Sequence, residues 1–121
     1  MNGKANPWHV EDVDSELVER LAALHAPYTK AVGAGVDIMG DPHRETDEGY
    51  NWTVLSRARS VADVVPGSAV VMGSGIGTYL AKVVAWDFEA SDDDPMVVLD
   101  LVPLTPQAVE RALERTRTTA A

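Results

Sequence analysis

Residues 67–104 read GSAVVMGSGIGTYLAKVVAWDFEASDDDPMVVLDLVPL, and the fold turns on how this stretch pairs with itself. Ala69 to Gly73 and Thr78 to Glu89 are rich in β-branched and aromatic residues, the composition of strands. Between them lies Ser74-Gly75-Ile76-Gly77, which suits a two-residue type II′ turn with Gly75 at positive φ. Such a turn pairs Gly73 with Thr78, Val71 with Leu80 and Ala69 with Lys82.

A polar turn, Ala90 to Asp94, is closed by Pro95, and Met96 to Leu104 is apolar again. Placing Glu89 opposite Met96 aligns Phe88 with Val97, Trp86 with Leu99, Val84 with Leu101 and Lys82 with Pro103. Asp87, Ala85 and Val83 then share the other face with Val98, Asp100 and Val102. A slip of one residue would drive Asp87 or Asp100 into the apolar row, so burial is expected to select this register.

The glycines at 73, 75 and 77 superficially match the opening of a dinucleotide-binding loop. The last glycine of that fingerprint would fall at Thr78, and the run that follows lacks helical period. A hairpin turn is the better reading. Ser74 has no nucleophile-elbow context either, since the wider G-x-S-x-G pattern fails around it.

Outside the meander, Leu17, Val18, Leu21 and Leu24 form one stripe of a helix capped by Asp14 or Ser15 and ended by Pro27. His25 falls in its last turn, where the helix dipole favours it. Gly35 to Met39 reads as a short edge strand and Trp52 to Arg59 as a further strand. Ser60 with Asp63 suggests one capped turn. Thr105-Pro106 starts a C-terminal helix with Ala108, Val109, Ala112 and Leu113 on one side. Residues 1–9 and 116–121 are expected to be poorly ordered, although Trp8 should dock on the body.

These elements predict an α+β fold in one domain spanning 1–121. Its centre is an antiparallel β-meander of four to five strands, a small half-open barrel or curved sheet, with an N-terminal and a C-terminal helix. At 121 residues with 45% hydrophobic content the chain can bury a proper core without staples. It has no cysteine, which excludes a disulfide framework, a thiolate nucleophile and cysteine-ligated zinc. No apolar run approaches the length of a membrane span, and no signal peptide is visible at the start, so a cytoplasmic location is expected.

A net charge of −9 sets the second bound on function. Nucleic-acid binding depends on neutralising phosphates, and an acidic membrane surface repels the same charge. Neither is expected as a partner; a basic protein is. The densest polar segment, Asp41 to Tyr50, gathers Asp41, His43, Glu45, Asp47 and Glu48. These are side chains that ligate hard cations or zinc, and Asp41, His43, Asp47 and Glu48 are the candidate metal ligands. Their spacing matches no known loop, and a surface loop is the plainer reading. Lys82 belongs to the Trp86 row and is expected at its rim.

The residues point to a non-enzymatic protein-interaction module that needs no cofactor. Two alternatives stand beside it: a homo-oligomeric structural protein, and a small enzyme or ligand- or metal-binding domain using the loop 41–50. A homodimer is favoured, because Met96 to Leu104 would otherwise be an apolar edge strand.

Overall fold

A computed structural model describes residues 13–102. It shows an α+β fold built on a five-stranded mixed sheet that curls into a half-barrel. Two helices come first, α1 (Ser15–Leu24) and α2 (Thr29–Ala34). The strands are β1 (Ile38–Met39), β2 (Asn51–Val54), β3 (Ala69–Gly73), β4 (Thr78–Asp87) and β5 (Met96–Val102). Their order across the sheet is β1-β3-β4-β5-β2. Two 3-10 turns, Leu55–Arg57 and Val61–Val64, lie between β2 and β3. The C-terminal helix expected after Thr105, the segment 1–9 and Trp8 lie outside the described residues.

The hairpin between β3 and β4 has the expected register, with Gly73 opposite Thr78, Val71 opposite Leu80 and Ala69 opposite Lys82. This also places the glycines 73–77 in a turn between antiparallel strands, not at the start of a helix. Its chemistry differs from the type II′ expectation, because Gly75 does not take positive φ. The Ser74 hydroxyl closes the turn instead, accepting from the backbone N–H of Ile76 at 3.1 Å and of Gly77 at 3.2 Å.

The register of β4 against β5 departs from expectation. Trp86 pairs with Val97 instead of Leu99, a slip of two residues, and Asp87 pairs with Met96. Side chains alternate with a period of two, so an even slip leaves every side chain on its own face. Sidedness alone therefore cannot choose between the two registers. The connection is correspondingly longer, and it is tied down by its own polar groups: Ser91 Oγ accepts from Asp93 N and Asp94 N.

A bulge at Val84 then changes the sides. Ala85 pairs with Val98 but Val83 pairs with Leu99, leaving Val84 as the extra residue. Trp86, Val83 and Ala81 consequently share the core face, while Val84 turns to the opposite face. Lys82 goes with Val84. It is exposed and opposite Asp100, not in the Trp86 row where the alternation had put it.

The sheet is mixed, not purely antiparallel. β1 runs parallel to β3, with Ile38 opposite Met72 and Met39 opposite Gly73. β2 takes the outer side of β5, pairing Asn51 with Leu99 and Val54 with Met96. Met96 to Leu99, the first part of the strand expected to be an open edge, is therefore covered from within the chain, while Asp100 to Val102 run past the end of β2. Beyond β2 the chain bends through Leu55–Arg57 and brings Ala58 to a bridge with Ile38, joining the two sides of the curl. The Arg59 N–H donates to the Asp37 carbonyl at 2.8 Å just beyond that bridge.

One face of the sheet carries the main core: Ile38, Leu55, Val61, Val64, Val70, Met72, Val83, Trp86, Val97 and Leu99 belong to it. Trp86 is fully buried, and its indole N–H donates to the Val64 carbonyl at 2.9 Å, so the polar tip of a large apolar group is satisfied. α1 lids this core with Leu21, supported by Leu17 and Val18, under an N-cap in which Asp14 Oδ1 accepts from Leu17 N at 2.9 Å. Leu24 lies outside the stripe, 55% exposed. α2 occupies a passage too rich in Gly and Ala for its helical period to be visible, and it ends at Gly35 in the left-handed conformation. The turn into Val61–Val64 forms without a side-chain cap from Ser60.

Candidate functional site

The loop after β1 carries the densest set of chemically active side chains, and the structure shows it to be bonded along its length. It starts as an Asx turn in which Asp41 Oδ1 accepts from His43 N at 2.9 Å. The Arg44 N–H returns to the Asp41 carbonyl at 3.0 Å. At the far end the Thr46 N–H donates to the Tyr50 carbonyl at 2.7 Å, and the Tyr50 N–H donates to Thr46 Oγ1 at 3.2 Å. Gly49 closes this tip at φ 88°, where a side chain would be strained.

β2 provides the anchor for the loop. Its inward-facing residues Asn51 and Thr53 are polar yet buried, because each satisfies carbonyls of the segment that crosses over them. Asn51 Nδ2 donates to the Pro42 carbonyl at 2.8 Å and to the Arg44 carbonyl at 3.2 Å. Thr53 Oγ1 donates to the Met39 carbonyl at 2.7 Å. Glu45 bridges back to Asn51, so residues 44–51 form a short arm folded on itself. On the outer side the Arg44 guanidinium lies 5.3 Å from the centre of the half-buried Trp52 ring. Arg44 Nε is also 3.9 Å from Asp41 Oδ2.

The carboxylates of the arm face outward: Asp41, Glu45 and Asp47 are exposed with His43, and Glu48 is half-buried. The structure keeps the four candidate ligands Asp41, His43, Asp47 and Glu48 on one arm. It does not gather them: among the described residues no three His, Asp or Glu side chains are grouped to hold a metal ion. The arrangement is a rim of separate negative charges on a pinned scaffold. It offers long-range attraction and hydrogen-bond acceptors to a cationic surface.

A second acidic turn, Ser91 to Asp94, lies beyond the other end of β2, and only part of it is solvated. Asp94 is engaged internally by Ser56, accepting from its backbone N–H and its hydroxyl, each at 2.8 Å. The backbone carbonyl of Asp93 lies 2.6 Å from His25 Nε2, and its side chain faces Arg20 at 4.0 Å. His25 thus caps α1 and ties that helix to the turn. Asp37 is another carboxylate with a structural role. Its Oδ2 accepts from Val71 N at 2.8 Å, and its Oδ1 faces Arg59 at 3.8 Å.

Sequence reasoning missed the Arg44–Trp52 stack and the roles of Asp94 and Asp37. Residue spacing carried no signal for the first, since the two meet only because the arm folds back. No helix among the described residues is long and apolar enough to cross a membrane. Comparison of the chain with protein-family models, curated proteins and solved structures found no match.

Proposed function

We propose that this chain is a non-enzymatic protein-interaction module whose arm, residues 41–50, receives a basic surface of a partner protein. The observation that carries the reading is that exposed carboxylates sit on a loop whose backbone is bonded to β2. A net charge of −9 accelerates encounter with a positive partner. A loop already held in one conformation loses little further freedom on binding, which preserves the interaction energy. Trp52 at the base of the arm supplies an aromatic group beside the charges, the type of residue that anchors interfaces.

Capture from a lysate of the native host tests this with two variants of opposite expectation. Glu45→Lys with Asp47→Lys reverses charge on the arm; Asp63→Lys does so on an exposed turn elsewhere. A partner held by the wild type and by Asp63→Lys, lost from the arm variant and weakened by salt, supports the reading. A partner held equally by both variants overturns it.

A further inference from the structure

β1 and β2 lie at opposite ends of the strand order, yet the arm joins one directly to the other. Its two roots, Gly40 and Asn51, therefore stand on the two sides of the line along which the curled sheet meets itself. The neighbouring ladders are long: β2 pairs with β5 over four residues, β3 with β4 over five and β4 with β5 over seven. Among the described residues the line itself holds a single bridge, Ile38 opposite Ala58.

Two backbone bonds flank that bridge. The Arg59 N–H donates to the Asp37 carbonyl at 2.8 Å, and the N–H of Tyr28, the cap residue of α2, donates to the Ala58 carbonyl at 3.0 Å. Toward the arm no ladder follows, because Leu55–Arg57 turn as a 3-10 helix. A side chain takes its place, with Thr53 Oγ1 donating to the Met39 carbonyl at 2.7 Å. The packing is tight here: a Cβ on Gly40 would lie 2.7 Å from Met72 Sδ and 3.5 Å from Thr53 Cβ. Thr53 is 5% exposed, so water is poorly placed to replace its hydroxyl. Ile38 and Leu55, on the two sides of the line, are fully buried, which favours the closed form.

We propose that this seam, residues 37–40 against residues 53–59, is a latch that opens as a unit of its own while β3, β4 and β5 stay paired, and that the Thr53 hydroxyl holds it shut. A joint with few backbone bonds is where opening short of global unfolding takes place. The arm spans the seam, so opening parts its two roots, and residues 41–50 keep one conformation only while the latch is closed. The latch does not depend on the arm having a partner, since it is a property of the chain alone.

Residue-resolved hydrogen exchange on the full chain tests this. The amides of Tyr28 and Arg59 cross the seam, and that of Trp52 donates to the Arg44 carbonyl at the base of the arm. The Val83 amide, which donates to the Ser68 carbonyl away from the seam, is the reference. In the wild type the first three should share one dependence on urea and exchange at least ~10-fold faster than Val83. Thr53→Val keeps the shape and removes the donor; it should speed those three about tenfold and leave Val83 unchanged. Thr53→Ser, which keeps a hydroxyl, should stay near the wild type. Exchange of all four amides through one common opening in the wild type overturns the proposal. So does a Thr53→Val chain in which Val83 accelerates equally, in which only Trp52 accelerates, or in which nothing does. Should Thr53→Val not fold, the wild-type rates decide alone, because the shared opening of Tyr28, Arg59 and Trp52 is what the latch requires.

Discussion

Both carboxylate oxygens of Asp94 are taken by Ser56, one by its backbone N–H and one by its hydroxyl, each at 2.8 Å. Asp94 belongs to the turn between β4 and β5, and Ser56 to the 3-10 turn in which the chain leaves β2. The pair therefore locks the long β4–β5 connection to the strand that covers β5, next to the bond from Leu55 N to the Pro95 carbonyl. Hydrogen bonds to a charged group contribute about 1.5–3 kcal/mol net of the competition with water. Asp94 is only partly buried, which places the pair toward the lower part of what two such bonds could give. Asp94→Ala should cost ~1–3 kcal/mol of stability in urea unfolding. Asp92→Ala should stay within about 0.5 kcal/mol, as exposed substitutions do. Equal effects of the two would mean that Asp94 is no more tied than its neighbour.

Gly73 is a second point where two elements meet too closely for a side chain. A Cβ there would lie 2.9 Å from Val36 Cγ2 and 3.1 Å from Met39 Sδ. Gly73→Ala should destabilise by ~1–3 kcal/mol through overpacking, even though alanine suits a strand better than glycine. Val36→Ala removes the crowding group, so the double variant should be more stable than the two single costs predict. Coupling of about 0.5–3 kcal/mol is the range for residues in contact. Strict additivity in a double-mutant cycle would show that Val36 is not what excludes the side chain.

The hairpin from Ala69 to Asp87 was legible because a short turn leaves only one register once its ends are fixed. The register of β5 was not, because a longer connection permits slips of two that alternation cannot detect. The bulge was hidden for a related reason: Val83 and Val84 are the same residue type on opposite faces, and both faces are apolar there. β1 could be located by its apolar content, but two residues carry no mark of parallel pairing. α2 was illegible because TKAVGA has no stripe. At the arm, composition revealed the charges. That they stand on a pinned loop depends on Asn51, whose amide reaches back to carbonyls seven and nine residues earlier.

Leu99 is buried in the main core opposite Val83, and Leu24 at the end of α1 is 55% exposed although both belong to apolar patterns in the sequence. Leu99→Ala should cost ~2–5 kcal/mol, the range for emptying a buried leucine site. Leu24→Ala should change stability by less than about 0.5 kcal/mol. Chemical denaturation of the two variants side by side checks this. A Leu24 cost comparable with that of Leu99 would place the α1 terminus under cover.

The bulge makes a prediction about deletions that a regular strand would not. Trp86 faces the core and Ala85 faces away; without Val84, Val83 would follow at the position that again faces the core. Removing one valine from the Val83-Val84 pair therefore keeps every side chain on its present face and keeps Val83 opposite Leu99. It removes only the extra residue that bends β4. Removing Ala81 instead leaves the bulge in place and turns Tyr79 and Leu80 over, while slipping the β3 hairpin by one. The valine deletion should fold with a cooperative urea transition and a loss of ~0.5–3 kcal/mol, typical of a tolerated change. The Ala81 deletion should lose cooperativity, because a slip of one residue exchanges the two faces over its whole length. Tryptophan fluorescence during unfolding reads both. If the valine deletion fails to fold while the Ala81 deletion survives, the Val84 bulge is not where β4 changes sides.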